Sequence, residues 1–520
     1  MAHAASISGR PLTVDTIATD SLSDSILLLL TMTVVQRVVG FARAILFCRW
    51  LSPEQLGRWD MAFGFLMLAA PLSVLSISGA FGRYVQYYQR QGQVRSLIRR
   101  TALFCAAAAA SAWLVMCTAR RWFSVLIFGV PDQQELVVLL AGTLVGVVGF
   151  NYLSDLFTGL RSARRMAGLQ LINGLAFAGL SVGLLVNPHA ATAIVAYGAA
   201  ALVSMVLAVG PLRRIWNACP ESSPPLGHGA VWAKLLPFAA GVWISGFMAN
   251  LFDIVDRYMI LHYSRGSAEQ ALAEIGQYHS SRLVPLLLVS ITWLVNTILM
   301  PYLSHDWERG RRQRVSARVN FFVKLIGLAL LSAGTAVLCA SGWLFNVALG
   351  GKYALGLSVL PWTLTYCTWF ALSTLLQNYL WCAEKTALVS LAMLVGLLAN
   401  VGLNLLLLPR LGLPGAVMAT TTGSLVMLSL VCGFCFRLGL RIDRGAWLTL
   451  ALPAVFCLGP RAALVAVALL AIAVLRTNLV FCRREKAEFL LGCRRYLRRF
   501  QDYRSRRSGR LGPTLDAEIS

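Results

Sequence analysis

The chain has 520 residues, 58% of them hydrophobic and 13% charged, with a mean hydropathy of +0.68. Soluble proteins carry about 25% charge, and no soluble fold can remove this much apolar surface from water. A soluble multidomain enzyme is therefore excluded, as is one anchor on a soluble body, since the apolar runs extend from about position 25 to about 480. The formal charge of +24 comes mostly from short basic connections between those runs, the pattern of cytoplasmic membrane loops; nucleic acid is not an expected partner.

Runs long enough to cross a hydrocarbon core of about 30 Å lie near 25–48, 59–82, 101–119, 135–160, 167–187, 191–211, 233–262, 279–303, 319–349, 355–382, 386–408 and 413–437. The stretch 446–481 is too long for one helix and is interrupted at Gly459-Pro460-Arg461, so it reads as two shorter spans. The expected fold is an all-α polytopic membrane protein of about fourteen transmembrane helices. Basic residues in loops after even-numbered spans outnumber those after odd-numbered spans by roughly two to one, which places both termini in the cytoplasm. The first 22 residues are polar and lack a short apolar core with a small-residue cleavage site, which argues against a cleaved signal peptide.

The expected organisation is a cytoplasmic N-terminal tail (1–24), an N-lobe of spans one to six (25–211), a cytoplasmic linker (212–232), a C-lobe of spans seven to twelve (233–437), spans thirteen and fourteen (438–481) and a basic cytoplasmic tail (482–520). In the tail, Phe489, Cys493, Tyr496, Leu497, Phe500 and Tyr503 fall at helical spacing among arginines, either an amphipathic helix on an anionic leaflet or a plain positive-inside tail. The twelve cysteines are scattered; Cys432 and Cys435 form a CxxC inside an apolar helix, with no second pair or histidine at metal-ligand spacing, and read as packing residues. No metal or cofactor is expected, and no glycine-rich nucleotide loop is present.

Two internal echoes support a two-lobe plan related by a pseudo-two-fold axis along the membrane normal. Spans five and six recur as spans eleven and twelve about 221 residues later, each pair joined by a short Pro-containing link. RAILFCRWLSPEQLGRWDMAFGF is echoed by RYMILHYSRGSAEQALAEIGQYHSSRL, with Arg43 opposite Arg257 and Leu56-Gly57-Arg58-Trp59 opposite Ile275-Gly276-Gln277-Tyr278.

VVGFARAILFCRWLSPEQLGRWDMAFGF resembles the first two spans of the polysaccharide-type (Wzx-like) flippases of the multidrug/oligosaccharidyl-lipid/polysaccharide exporter superfamily. Asp256-Arg257-Tyr258, Ile275-Gly276-Gln277-Tyr278 and Met300-Pro301 resemble that family's seventh and eighth spans, and Leu408 to Ala416 its eleven-to-twelve link. The resemblance covers roughly residues 25–440. It implies a non-enzymatic protein of the bacterial inner membrane that exports a polyprenyl-pyrophosphate-linked oligosaccharide repeat unit, for exopolysaccharide, capsule or O-antigen. Membrane lipids, a polysaccharide polymerase and a co-polymerase are the implied partners. A cation-coupled multidrug exporter of the same superfamily, or a membrane polymerase or acyltransferase, are the alternatives. The latter two would call for a large extracytoplasmic loop or a His/Asp motif, and the six histidines are dispersed.

An ionisable group at mid-bilayer costs about 2.5–3.5 kcal/mol, so each needs a reason. Arg37 lies roughly 16–18 Å from either end of the first run at 1.5 Å per residue, beyond the reach of snorkelling; it either pairs with a buried acid or faces a wet cavity. Arg43 is close enough to the span end to snorkel, but gains weight from its repeat mate Arg257 and from Arg282. Asn250, Asp253 and Arg257 share one helical stripe, with acid and base four apart in the favourable order: either a self-neutralised pair or part of a cargo site. Asp256 points away from that stripe as a second acid. Asn151 and Asp155 repeat the spacing in span four, Asp155 being either free or paired with Arg161. Arginine stays protonated and forms bidentate bonds to phosphate oxygens, which suits a pyrophosphate cargo. By the resemblance, Arg37, Arg43, Arg83 and Arg282 match cavity arginines of related lipid II flippases on the first, second and eighth helices, although Arg83 also fits a positive-inside residue. Asp155, Asp253 and Asp256 are the candidate ion-coupling or structural acids.

Overall fold

The computed structural model describes residues 22–219, 228–483 and 485–487. The polar N-terminal residues, the centre of the inter-lobe linker and the amphipathic pattern from Phe489 onward lie outside the described residues. Within them the chain is helical, with no strand: α1 (Leu22–Trp50), α2 (Pro53–Ser73), α3 (Phe81–Arg90), α4 (Val94–Thr118), α5 (Arg120–Phe128), α6 (Gln134–Gly159), α7 (Ala163–Leu180), α8 (Ala190–Ala218), α9 (His228–Tyr263), α10 (Ala268–Glu308), α11 (Arg312–Trp343), α12 (Ala354–Cys382), α13 (Thr386–Leu411), α14 (Leu413–Arg437), α15 (Arg444–Ala451) and α16 (Pro460–Arg476). Eleven of these helices, with short extensions, are long and apolar enough to cross a membrane, and α2 joined to α3 makes a twelfth.

The twelve main runs read from the sequence each fall on one of these helices. The expected count of fourteen is reached only with two shorter pieces, because Gly459 (φ 92°) and Pro460 divide the last stretch into Arg444–Leu458 and the 17-residue α16. Span two starts at Pro53 rather than Trp59 and is bent by 64° between α2 and the helical segment beginning at Ile77. Arg83 consequently sits in a helix, not in a loop. At 41 residues α10 is about 60 Å long at 1.5 Å per residue, so it projects well beyond the apolar core.

Caps set the two helices that carry the site. Ser52 caps α2, accepting from Gln55 N (3.4 Å), with Pro53 in the first turn where its missing N–H costs nothing. Ser267 and Gln270 cap α10 reciprocally, at 3.3 and 3.1 Å, as a capping box. The motif is Ser-x-Glu-Gln in both cases.

The chain divides into two compact units. The first comprises 1–287, 340–363 and 393–426. Within it α6 packs on α4 and α8, and α1 on α7. Here the two copies of the echo meet. A Cβ on Gly57 would strike the Leu272 carbonyl, and one on Gly276 the Pro53 carbonyl. Each glycine thus accommodates the backbone four residues ahead of the other, so α2 and α10 cross in reciprocal backbone contact. One turn of extra helix separates cap from glycine in α10, which preserves the face. At the same end, Lys352 Nζ donates to the Arg49 carbonyl (2.9 Å) and Tyr353 Oη to the Cys48 carbonyl (2.9 Å), satisfying the last carbonyls of α1.

The second unit comprises 288–339, 364–392 and 427–520. Its centre is Lys324, 1% exposed, which donates to Asp443 (2.7 Å) and Glu485 (2.6 Å). Asn296, Thr374 and Asn378 form a buried chain of hydrogen bonds at 3.1 and 2.8 Å. Cys432 and Cys435 are buried and free, the latter against the Leu376 carbonyl.

The crossing yields a sharp contrast between glycines. Gly57→Val forces a branched side chain into a carbonyl, an overpacking cost of about 1–3 kcal/mol or more, and is expected to lower the thermal midpoint of the detergent-purified protein markedly. Gly40→Val, at a glycine with nothing within 4 Å of its Cβ position, leaves the midpoint within a degree or two of wild type by size-exclusion thermostability.

Candidate functional site

The strongest concentration of charge in the first unit lies just past the glycine crossing. Three residues beyond Gly57 comes Asp60, and three beyond Gly276 comes His279; the two bond at 2.8 Å between Nδ1 and Oδ1. The echoed positions therefore pair with each other. Asp60 is 3% exposed and also accepts from Arg257 Nη1 at 3.2 Å. Arg257 reaches back one turn along α9, its Nη2 donating to the Asp253 carbonyl and to Asp253 Oδ2, both at 2.8 Å. Arg282 of α10 closes on the other oxygen of Asp253. Two arginines thus share two carboxylates, with a histidine at the edge.

Exposure within this network is uneven. The Arg257 and Arg282 side chains are 3% and 5% exposed, whereas that of Asp253 is 58% exposed. Asp253 covers both guanidinium groups, and anything approaching them meets its carboxylate first. Buried arginines at membrane depth are tolerated because each has a counter-charge and hydrogen bonds.

Asp256 lies on an adjacent face of α9, 2% exposed, and takes part in no ion pair among the described residues. It accepts from Asn400 Nδ2 (2.7 Å) and Tyr278 Oη (3.1 Å), and Asn404 donates to Asn400 Oδ1 (2.6 Å). Its hydrogen-bond donors are amide and hydroxyl groups, and the Arg282 guanidinium acts on it from nearby. Asn250 shares the stripe of Asp253 but bonds the Met67 carbonyl (3.0 Å), tying α9 to α2 rather than joining the arginines.

The other expected arginines sit apart from this network. The Arg43 guanidinium lies 3.9 Å from the Phe177 ring centroid, beside a cluster of Phe47, Trp59, Phe63, Phe177 and Tyr197 in edge and tilted contacts. Its neighbours are aromatic faces, a cation–π setting worth about 0.5–2 kcal/mol. Arg37 is exposed and has no carboxylate partner among the described residues, unlike the buried pair that was one of its two readings. Arg83, also exposed, lies 5.2 Å from the Phe238 ring centroid, and Lys234 Nζ 3.4 Å from that of Tyr87, forming a basic aromatic patch between α3 and α9. Asp155 accepts from Ser78 Oγ at 2.5 Å, not from Arg161. Asp60 and His279 were not singled out from the sequence, although the echo aligning Gly57 with Gly276 also aligns them. Among the described residues no group of three or more His, Cys, Asp or Glu is placed to hold a metal ion.

Helices of this length and apolar character define a multi-pass membrane protein. The chain belongs to the polysaccharide biosynthesis protein family, whose pattern it matches over residues 22–307. No curated protein sequence matches it. Its fold is similar to the lipid II flippase MurJ in an inward closed conformation, with TM-score 0.63, 12% identity, and 86% of this chain and 99% of that one covered. It is also similar to an inward-facing multidrug resistance MATE family transporter of the MOP superfamily, with TM-score 0.60, 13% identity, and coverage of 79% and 98%. A MOP superfamily transporter from Pyrococcus furiosus matches with TM-score 0.56, 11% identity, and coverage of 80% and 95%. These likenesses establish the fold.

The network sets a clear order of stabilities. Arg257→Ala leaves Asp60 buried without its arginine, a loss of about 3–5 kcal/mol for one half of a buried pair. The double variant Asp60→Asn with Arg257→Gln removes both charges, and its thermal midpoint should lie above that of Arg257→Ala. Additive losses in such a cycle would show the two side chains to be energetically independent.

Proposed function

We propose that this protein flips a polyprenyl-pyrophosphate-linked oligosaccharide repeat unit across the bacterial inner membrane by alternating access, for exopolysaccharide, capsule or O-antigen assembly. It acts as a transporter rather than an enzyme. The observation that carries the reading is the buried pair Arg257 and Arg282 under a largely exposed Asp253, in a chain of the polysaccharide biosynthesis family. Two permanently charged guanidinium groups suit a diphosphate and disfavour a cationic drug.

In this conformation the arginines are occupied by the protein's own carboxylates. An entering pyrophosphate has to take the place of Asp253 and then compete with Asp60 for Arg257. Swapping one anion for another keeps both arginines paired throughout. Arg83 and Lys234, with Tyr84, Tyr87 and Phe238, supply the basic aromatic mouth at the inner end of span two, suited to sugar rings and phosphate. Exposed Arg37 on α1 is a further candidate contact for the diphosphate. Arg43 is held by aromatic faces and serves to fix α1 against α2 and α7. Both termini are cytoplasmic in this reading, and spans one to six and seven to twelve form the two rocking lobes. With that orientation the Gly57–Gly276 crossing lies at the outer end. Asp256, among neutral amide and hydroxyl donors, is the acid we assign to the coupling ion. A polymerase and co-polymerase receive the flipped unit.

The test is the pool of lipid-linked repeat units in a deletion strain, complemented with wild type, Arg257→Lys, Arg282→Ala or Arg37→Ala at equal protein level. The expected result is lost surface polymer with repeat units stranded on the cytoplasmic leaflet, rescued by wild type and at most weakly by the Arg282 variant. Normal polymer with altered drug sensitivity would overturn the reading in favour of a drug exporter. Repeat units that reach the outer leaflet but stay unpolymerised would point to an enzyme acting after export.

A further inference from the structure

A second polar cavity in the first unit shares no residue with the arginine network. It has a volume of about 350 Å³ and lies where span two breaks, between the end of α2, α4 and α6. Leu75 and Ser76 adopt left-handed conformations there (φ 49° and 46°), a costly geometry for side-chain-bearing residues that persists only where the surroundings hold it. Its polar lining is Ser76, Ser78, Asn151, Tyr152, Ser154 and Asp155.

The charge balance of this cavity does not close. Asp155 is half-buried near the end of α6, and its one hydrogen bond among the described residues is from the neutral Ser78 hydroxyl, at 2.5 Å. No lysine, arginine or histidine side chain lines the cavity; its other titratable groups are Cys105 of α4 and Tyr152 of α6, neither cationic. Tyr152 is engaged with Thr101 and the Ile98 carbonyl, both at 3.0 Å. The C-terminal end of α2, represented by Ala70, Pro71 and Val74, adds the negative pole of a helix. The carbonyls at this end are already engaged, Ala70 O accepting from Ser73 Oγ, Pro71 O from Ser76 N, Leu72 O from Leu75 N and Val74 O from Ile77 N, and each keeps a second lone pair for a further contact. The helical segment that begins at Ile77 brings its positive end, with Ser78 and Gly79, to the same cavity, so the two helix ends offset each other and the Asp155 carboxylate is the charge that no lining residue answers.

We propose that this cavity holds one monovalent cation, bound by Asp155 with oxygen ligands from Ser78, Asn151 and the broken end of α2. One carboxylate matches a single charge, and hydroxyl, amide and carbonyl oxygens suit an alkali ion rather than a transition metal. Broken membrane helices present such carbonyl-rich ends to ions. The alternative source of the same charge is a proton on Asp155 itself. The site stands independently of what the transporter carries, because ion binding is read without cargo.

The experiment uses the full-length protein in nanodiscs, in an Asp256→Asn background so that a cation held at that acid is not counted. NaCl or KCl is titrated against choline chloride at constant ionic strength, and separately pH is varied in choline alone. The thermal midpoint and proton uptake are read for the parent, Asp155→Asn and Ser78→Ala. Asparagine preserves the size of Asp155 and its bond to Ser78, and a midpoint at or above the parent's in choline at high pH verifies folding. A saturable rise in midpoint with Na⁺ or K⁺ that Asp155→Asn abolishes and Ser78→Ala weakens establishes an alkali-ion site. A pH-dependent rise with uptake of one proton, lost in Asp155→Asn and unmoved by either salt, assigns the charge to a proton. Identical salt and pH responses in the parent and Asp155→Asn overturn the proposal, whatever the polymer assay shows.

Discussion

The crossing of α2 and α10 at Gly57 and Gly276 governs the rest of the first unit. Two helices can approach to backbone contact only where neither carries a side chain, and each glycine here faces the carbonyl four residues ahead of the other. Such proximity brings the next inward positions together as well. Three residues on in each helix, the facing pair is Asp60 and His279. A carboxylate fixed there by backbone geometry then sets the counter-charge for Arg257 on α9, and through Asp253 for Arg282. The charge network is thus a consequence of the glycine pair rather than a separate feature laid over it.

Arginine in a membrane helix has three different solutions in this chain. Arg43 is screened by aromatic faces, Arg257 and Arg282 by carboxylates, and Arg37 by neither among the described residues. The three differ in what they can offer an anionic ligand. A guanidinium packed on Phe177 loses its stacking if it moves. One paired with a carboxylate can exchange partners without exposing a bare charge. Exposed Arg37 is ready for a ligand but has nothing to hold it in place. The sequence marks all three as costly residues without distinguishing their solutions, because the distinction depends on helices far away in the chain.

Much of the fold was legible because hydrophobic length is a one-dimensional property. The runs at 355–382, 386–408 and 413–437 fall on α12, α13 and α14 almost residue for residue. Span two was misplaced because its first turn, Pro53-Glu54-Gln55, is polar, although Ser52 followed by proline is a strong start signal. Its internal break was invisible, since Leu75 and Ser76 carry no local mark of a left-handed turn. In the site, the Asp253–Arg257 pair could be read because both partners lie on one helix, four apart. Asn250 satisfied the same rule and yet bonds a carbonyl of α2. Asp60 and His279 belong to the quoted echo, but they looked like ordinary helix positions until the glycines placed them face to face. Reading an echo as a contact, as well as a similarity, would have found them.

The acids of the first unit divide by whether their charge is answered. Asp60 and Asp253 together balance Arg257 and Arg282, leaving a network of near-zero net charge when His279 is neutral. Among the described residues Asp155 accepts only from the Ser78 hydroxyl, and Asp256 accepts from amide and hydroxyl donors with the Arg282 guanidinium acting on it from nearby. A carboxylate held by amide and hydroxyl donors keeps its negative charge only at a cost that rises with burial, so each of these positions favours an incoming positive charge. In the proposed cycle the balanced network would admit an anion by exchange, and the acids without a counter-charge would admit a cation by addition. A transporter that moves a diphosphate against its own arginine–carboxylate pairs needs both. Exchange alone leaves the cargo's extra negative charge uncompensated, and a cation taken up at an unanswered acid offsets it within the same protein. In that cycle, separating the two kinds of site would let cargo and ion load without competing for the same side chains, with the glycine crossing as a fixed frame for the first of them.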